Sequence, residues 1–178
     1  VDCELLCLAF SPDGKTLAAS GRSSSVWLWD MSTRNKVRQL SGHAFIVASV
    51  AFSPDGMLLA TPSLSDEVRL WELPSGNKPV TFNGHVAGAT AVAFCPDGKT
   101  LATGGTDKKV KLWNVATHQE LATFPMVVEF PTLTFSADGR MLAVGEMTGD
   151  NRRIQILHAP SFEEIAAVEA KRDQSGPH

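Results

Sequence analysis

Cysteine is scarce in this chain of 178 residues, and long apolar runs and an excess of positive charge are absent. Cys3, Cys7 and Cys95 are odd in number and show no CxxC spacing, so neither a paired disulfide framework nor a zinc knuckle follows. Free thiols of this kind suit a reducing compartment, and a cytoplasmic setting is expected. The apolar stretches fall well short of the roughly 18 residues that a membrane-crossing helix requires, so no membrane partner is expected. Lys and Arg number 16 against 19 Asp and Glu, with a net charge of −3 and no basic run. That balance supplies no field for holding a polyanion, and nucleic acid is not an expected partner. No GxxxxGK[ST] loop is present, and no GxSxG surrounds Ser23, Ser24 and Ser25, which removes the usual phosphate cradle and the serine-hydrolase elbow. What remains is ordinary globular composition, 43% apolar and 20% charged. At this length a compact chain buries roughly 70% of its unfolded surface, enough for a core without staples.

Self-similarity is the strongest positive signal. Phe10, Phe52, Phe94 and Phe135 each precede a turn, read as Ser11-Pro12-Asp13-Gly14, Ser53-Pro54-Asp55-Gly56, Cys95-Pro96-Asp97-Gly98 and Ser136-Ala137-Asp138-Gly139. Downstream, Trp29, Trp71 and Trp113 close the runs SVWLWD, EVRLWE and KVKLWN, while the fourth run, RIQILH, has Leu157 in that place after a short insertion around Gly149 to Arg152. Within each copy short runs such as VASVAF, MLLAT and EVRLW alternate with turn chemistry, which predicts strands. Pro presets φ, Asp can accept from nearby backbone and Gly tolerates positive φ, so SPDG folds strand a back onto strand b. Strand c carries apolar residues on both faces, as in Val110, Leu112 and Trp113. That pattern suits a small sheet, or blade, sandwiched between two like sheets.

On these residues, together with Gly42-His43 and Gly84-His85, the chain resembles the WD40 repeat family over about residues 4 to 160. The resemblance implies an all-β fold of four-stranded propeller blades, here about four in an incomplete ring, at about 1–41, 42–83, 84–124 and 125–160. It also implies a hydrogen-bonded tetrad, which maps fully onto His85, Thr103, Asp107 and Trp113. In the second copy His43, Thr61 and Trp71 are present, but Ser65 stands at the acid's position with Asp66 beside it, so a weakened tetrad is expected there. The first copy has Ala19 and Ser23 at the Thr and Asp positions, and the fourth has FPMVVEF where GH would stand. Those outer copies are expected to rely on packing.

Beyond RIQILH, Ser161 with Glu164 forms a capping box, and Lys171 and Arg172 fall in what would be the last turn. A C-terminal helix is predicted over 161–172, followed by a disordered tail at 173–178; the alternative is a fourth strand through EEIAAVEA. The chain opens at Val1 inside what reads as a repeat unit, so an N-terminally longer protein is expected, with further blades in cis as partners, or else a second copy in trans. Residues 159–173 resemble the endings of bacterial multidomain WD40 proteins that carry a serine/threonine kinase or another signalling domain.

Candidate chemistry is sparse. His43 and His85 occupy equivalent places in different copies and are held apart by the repeat, so no metal site is expected. Asp13, Asp55, Asp97 and Asp138 are explained by their turns, and equivalent positions in successive blades do not converge on a catalytic point. No cofactor is expected and no enzymatic activity. Surface remains. The family resemblance places peptide contacts on the rim formed by the loops entering strand a and by the b–c turns, which here includes Arg22, Phe45, Leu64, Thr106 and Phe130. The expected function is a non-catalytic scaffold for a protein or peptide partner. The alternatives are a regulatory segment of a signalling protein such as a kinase, and a half propeller that dimerises.

Overall fold

The computed structural model describes residues 4–73, 78–127, 129–148 and 151–158, without the side chains of 146–148, 151 and 152. The helix and tail expected over 161–178 lie outside the described residues. The described chain is all β, in four antiparallel meander sheets. Blade one holds β1 (Leu5–Phe10), β2 (Thr16–Gly21), β3 (Ser25–Asp30) and β4 (Asn35–Ser41). Blade two holds β5 (Ala51–Phe52), β6 (Leu58–Pro62), β7 (Glu67–Glu72) and β8 (Val80–Asn83). Blade three holds β9 (Ala89–Phe94), β10 (Thr100–Gly105), β11 (Lys109–Asn114) and β12 (Glu120–Pro125). Blade four shows three strands among the described residues, β13 (Thr132–Phe135), β14 (Met141–Thr148) and β15 (Asn151–His158).

The a–b turns form for the reason their residues suggest. In blade one the Ser11 hydroxyl donates to Asp13 Oδ1 at 2.6 Å, the same carboxylate oxygen accepts from the Lys15 amide at 3.0 Å, and Ser11 Oγ accepts from the Thr16 amide at 2.9 Å. Gly14 sits at φ 70°, in the left-handed region that a side chain resists. Ser53 and Ser136 repeat this arrangement. Cys95 lacks the hydroxyl, and Asp97 alone caps the Lys99 and Thr100 amides, at 2.8 and 3.3 Å. The acid or amide after the strand-c tryptophan does the same for the c–d turn: Asp30 caps Ser32 and Thr33, and Asn114 caps Ala116 and Thr117.

Strand a of blade two is shorter than VASVAF predicts. Only Ala51 and Phe52 pair with β6, at Ala60 and Leu59, and an isolated bridge joins Val47 to Ser63. Pro62 is the reason. The Ser63 amide donates to Glu67 on β7, so the neighbouring position 62 must supply the donor toward strand a, and proline has none. In blade four the insertion seen in the sequence extends the β14–β15 hairpin, which stays paired out to Thr148 and Asn151.

The core lies between sheets rather than inside one. Ala18, Val26, Leu28 and Leu40 of blade one meet Val47, Val50, Leu59 and Trp71 of blade two. Ala60, Val68, Leu70 and Phe82 of blade two meet Val92, Leu101 and Trp113 of blade three. Ala102, Val110 and Leu112 of blade three meet Leu133, Leu142, Val144 and Leu157 of blade four. Each blade thus has a leading face toward its predecessor and a trailing face toward its successor, set by the two-residue alternation of its strands.

Asp55→Ala removes the acceptor for both Ser53 Oγ and the Met57 amide. Thermal and urea unfolding should show a loss of about 1 kcal/mol, with the folded-state far-UV spectrum unchanged.

Candidate functional site

The polar network of blade three joins four segments of the blade. The loop between β8 and β9 supplies His85, β10 supplies Thr103, the β10–β11 turn supplies Asp107 and β11 supplies Trp113. The Trp113 indole donates to Thr103 Oγ1 at 2.8 Å, Thr103 Oγ1 lies 2.8 Å from His85 Nε2, and His85 Nδ1 lies 3.0 Å from Asp107 Oδ1. Asp107 also accepts from the Val86 and Lys109 amides. One assignment satisfies every group: indole to hydroxyl, hydroxyl to Nε2, and Nδ1–H to the carboxylate. It requires a neutral imidazole. Burial lowers the His85 pKa below its ordinary value, and this outweighs the opposing pull of Asp107.

Blade two departs from the sequence expectation. His43 Nε2 lies 2.7 Å from Thr61 Oγ1, which accepts from the Trp71 indole at 2.8 Å. The carboxylate is neither at Ser65 nor at Asp66. It is Glu67 on β7, whose Oε1 lies 3.1 Å from His43 Nδ1. Glutamate's extra methylene lets a residue two positions further along do the work of the turn acid, so the network is complete rather than weakened. Asp66 faces solvent. Glu67 also pairs with Arg69 at 3.2 Å, and that guanidinium lies 6.0 Å from the Trp71 ring centroid. Burial first and the Arg69 charge second lower the His43 pKa to about 4.

Among the described residues the outer blades show no such network. In blade one the Ser25 and Ser41 hydroxyls lie 3.1 Å apart, and the Gln39 amide donates to Ser25. In blade four Val144 and Leu157 stand in the seats of Thr103 and Trp113, inside an apolar cluster.

A hydroxyl, an imidazole and a carboxylate in series are also the parts of a nucleophilic relay. Here Thr61 and Thr103 are fully buried and each already receives an indole N–H, so neither oxygen can meet a substrate. Both imidazole nitrogens of His43 and of His85 are engaged within their own blades. Among the described residues no group of three or more His, Cys, Asp or Glu is arranged to hold a metal. The Cys95 thiol is buried, and burial pushes its pKa up to about 11, the opposite of an activated nucleophile.

The rim is built by backbone hydrogen bonds both between and within blades. Between blades the Val47 amide donates to Ser23 at 3.0 Å and Ala89 to Ser63 at 2.8 Å; within blades Leu64 donates to Ile46 at 3.0 Å and Thr106 to Gly88 at 2.9 Å. Gly88 has φ +99°, and a Cβ there would meet the Leu64 carbonyl oxygen at 2.9 Å, so only glycine allows this approach. On that frame Phe45 and Phe130 are 61% and 63% exposed. Leu64 and Thr106 are half-buried against the neighbouring loops. Arg22 is exposed and bonded to Glu4, Nε to Oε2 at 2.8 Å. Val86 and Val127 are also exposed on the loops leading into β9 and β13. Sequence reasoning missed both; the signal for Val86 was an apolar residue directly after Gly84-His85.

Stacked, anchored sheets with a ladder-bound rim define a propeller-type repeat protein. The family model described as WD domain, G-beta repeat matches residues 2–30, 34–72 and 76–114, more than half of the chain. The chain belongs to that WD40 repeat family. No curated protein matches it.

Two measurements test the networks. Glu67→Ala should cost about 2 kcal/mol by leaving His43 Nδ1–H without an acceptor, whereas Asp66→Ala should stay within about 0.5 kcal/mol. The depressed His43 pKa favours the folded state above pH 6.5. That stability is lost as pH falls from about 6.5 toward 4, by up to about 3 kcal/mol, because the unfolded chain binds the proton first. Urea midpoints measured between pH 7 and pH 4.5 should therefore fall steadily; a flat profile contradicts a buried neutral imidazole.

Proposed function

We propose that this chain is a non-catalytic platform whose rim captures an extended segment of a protein partner through apolar anchors. WD40 repeats in general mediate protein–protein interaction and in general act as non-catalytic scaffolds. The observation that carries the finer reading is the exposure of Phe45 and Phe130 on a rim held by successive backbone hydrogen bonds. Packing against a neighbouring blade would have buried these rings, and solvated loops gain nothing from them. Preorganised aromatic side chains on rigid loops recruit partners at small entropic cost. Leu64 and Val86 continue the apolar track, while Arg22 and Thr106 offer polar contacts at its margin.

The free thiols Cys7 and Cys95 support a reducing, cytoplasmic setting. Within a larger bacterial signalling protein such a platform would take the regulatory place; what supports that reading is the resemblance of residues 159–173 alone.

Selection of random peptides displayed on phage tests the rim directly. The folded chain should enrich peptides with spaced apolar anchors, and Phe45→Ser or Phe130→Ser, with unaltered melting, should weaken a selected peptide roughly thirtyfold, the effect of losing an aromatic anchor. Enriched peptides that bind both variants as well as the parent would move the site off this rim.

A further inference from the structure

At the end of the stack opposite the rim, the a–b turns overlap from blade to blade. Pro12 of the blade-one turn lies over Gly56 of the blade-two turn, where a Cβ would meet Pro12 Cδ at 3.4 Å. Beside this overlap the junction opens into a groove of about 500 Å³, with Pro12, Phe52, Pro54, Met57 and Leu73 among its walls and Asp55 among its lining residues. The groove is internal to the described stack, with β1–β4 on one side of it and β5–β8 on the other.

The repeat shows what this place holds elsewhere. The residue after the turn glycine is Lys15 in blade one, Lys99 in blade three and Arg140 in blade four, a cation each time, but Met57 in blade two. The backbone seat is the same: the Met31, Leu73 and Val115 amides donate to the carbonyls of Lys15, Met57 and Lys99 at 2.8, 2.9 and 2.9 Å. In blade one the Lys15 ammonium stands 3.9 Å from the Asp13 carboxylate. Asp55 has no ion-pair partner of this kind among the described residues. Its Oδ1 accepts from the Ser53 hydroxyl and the Met57 amide, and Oδ2 takes part in neither bond. Those two bonds, Ser53 first, hold the carboxyl below its ordinary pKa, so it is ionised at neutral pH. Met57 is 52% exposed. Blade two therefore pairs an ionised acid with an open apolar wall where the other turns carry a cation of their own.

We infer that this groove receives an arginine side chain of a protein partner, its guanidinium on Asp55 Oδ2 and its methylene stem along Met57, Phe52 and Leu73. The charge that the other three turns supply in cis is here supplied in trans. Arginine suits the place because its guanidinium is more weakly hydrated than an ammonium and its stem covers apolar surface while the charged head stays in water. Asp13 does not compete for it, since Lys15 already faces that acid. The surface lies at the opposite end of the strands from Phe45 and Phe130 and is independent of the rim.

Amide chemical shifts of the isotope-labelled chain, followed while a capped Gly-Arg-Gly peptide is added at low ionic strength, test the inference, because an exposed ion pair is least screened there. The shifts should saturate and should centre on Asp55, Gly56, Met57 and Leu73. Replacing the arginine by citrulline, which keeps the shape and the stem and loses the charge, should weaken binding roughly tenfold or more. Asp55→Asn keeps the Oδ1 acceptor of the turn and removes its charge, and Met57→Lys restores the cation found in the same seat of blades one and three. Each should weaken binding to a similar extent with unchanged far-UV circular dichroism. A parent without saturable shifts at these amides overturns the inference, as does citrulline that binds as tightly as arginine, either variant binding as tightly as the parent, or shifts that gather on the rim instead.

Discussion

Each sheet in this chain carries apolar side chains on both of its faces, and that single constraint organises everything else. A half-buried sheet can leave one face to water, but Val110 and Leu112 on one side of β11 and Trp113 on the other both require a cover. Stacking is the only arrangement that meets the demand with sheets this small, so the core becomes a series of junctions and no blade has a core of its own. Burial of about 25 cal/mol per Å² of apolar surface accrues at the junctions, while the hairpins that make each sheet are closed locally by the acid-capped turns.

The polar networks matter to this stack through geometry. Four groups withdrawn from water must all be satisfied, or the network is worse than an apolar filling. Blades two and three satisfy theirs completely, and they do so with different carboxylates. Blade four has Val144 and Leu157 in the hydroxyl and indole seats, Val144 buried and Leu157 half-buried in one cluster with Leu142 and Leu133. The imidazole, hydroxyl and indole groups of blades two and three are all partnered, although beside the blade-two network Ser65 Oγ and Arg69 Nε are buried without a hydrogen-bond partner. The rim loops are tied by backbone hydrogen bonds between and within blades, and the exposed aromatics Phe45 and Phe130 stand on those loops.

Much of this was legible because the repeat is nearly constant in length. The resemblance to the WD40 family that this spacing carries implied the tetrad of His85, Thr103, Asp107 and Trp113, and the acid-and-glycine turns announced every a–b hairpin. The exceptions have particular causes. Glu67 escaped notice because a longer side chain on strand c can reach the imidazole that a turn acid usually serves, and spacing alone does not report reach. The shortening of β5 hinged on which side of β6 the missing Pro62 donor would have pointed, a matter of ladder phase. Val86 and Val127 were overlooked because whether an apolar loop residue folds inward or outward is settled by the neighbouring turn.

Local chemistry, read along the chain, determined the strands, the turns, the all-β class and the family, because two-residue alternation and Asp-Gly turns are short-range physics. Which carboxylate closes a network and which aromatic rings stay in water were decided only in three dimensions. Those outcomes depend on distances between residues some twenty to forty positions apart, and such distances exist only once neighbouring sheets have packed.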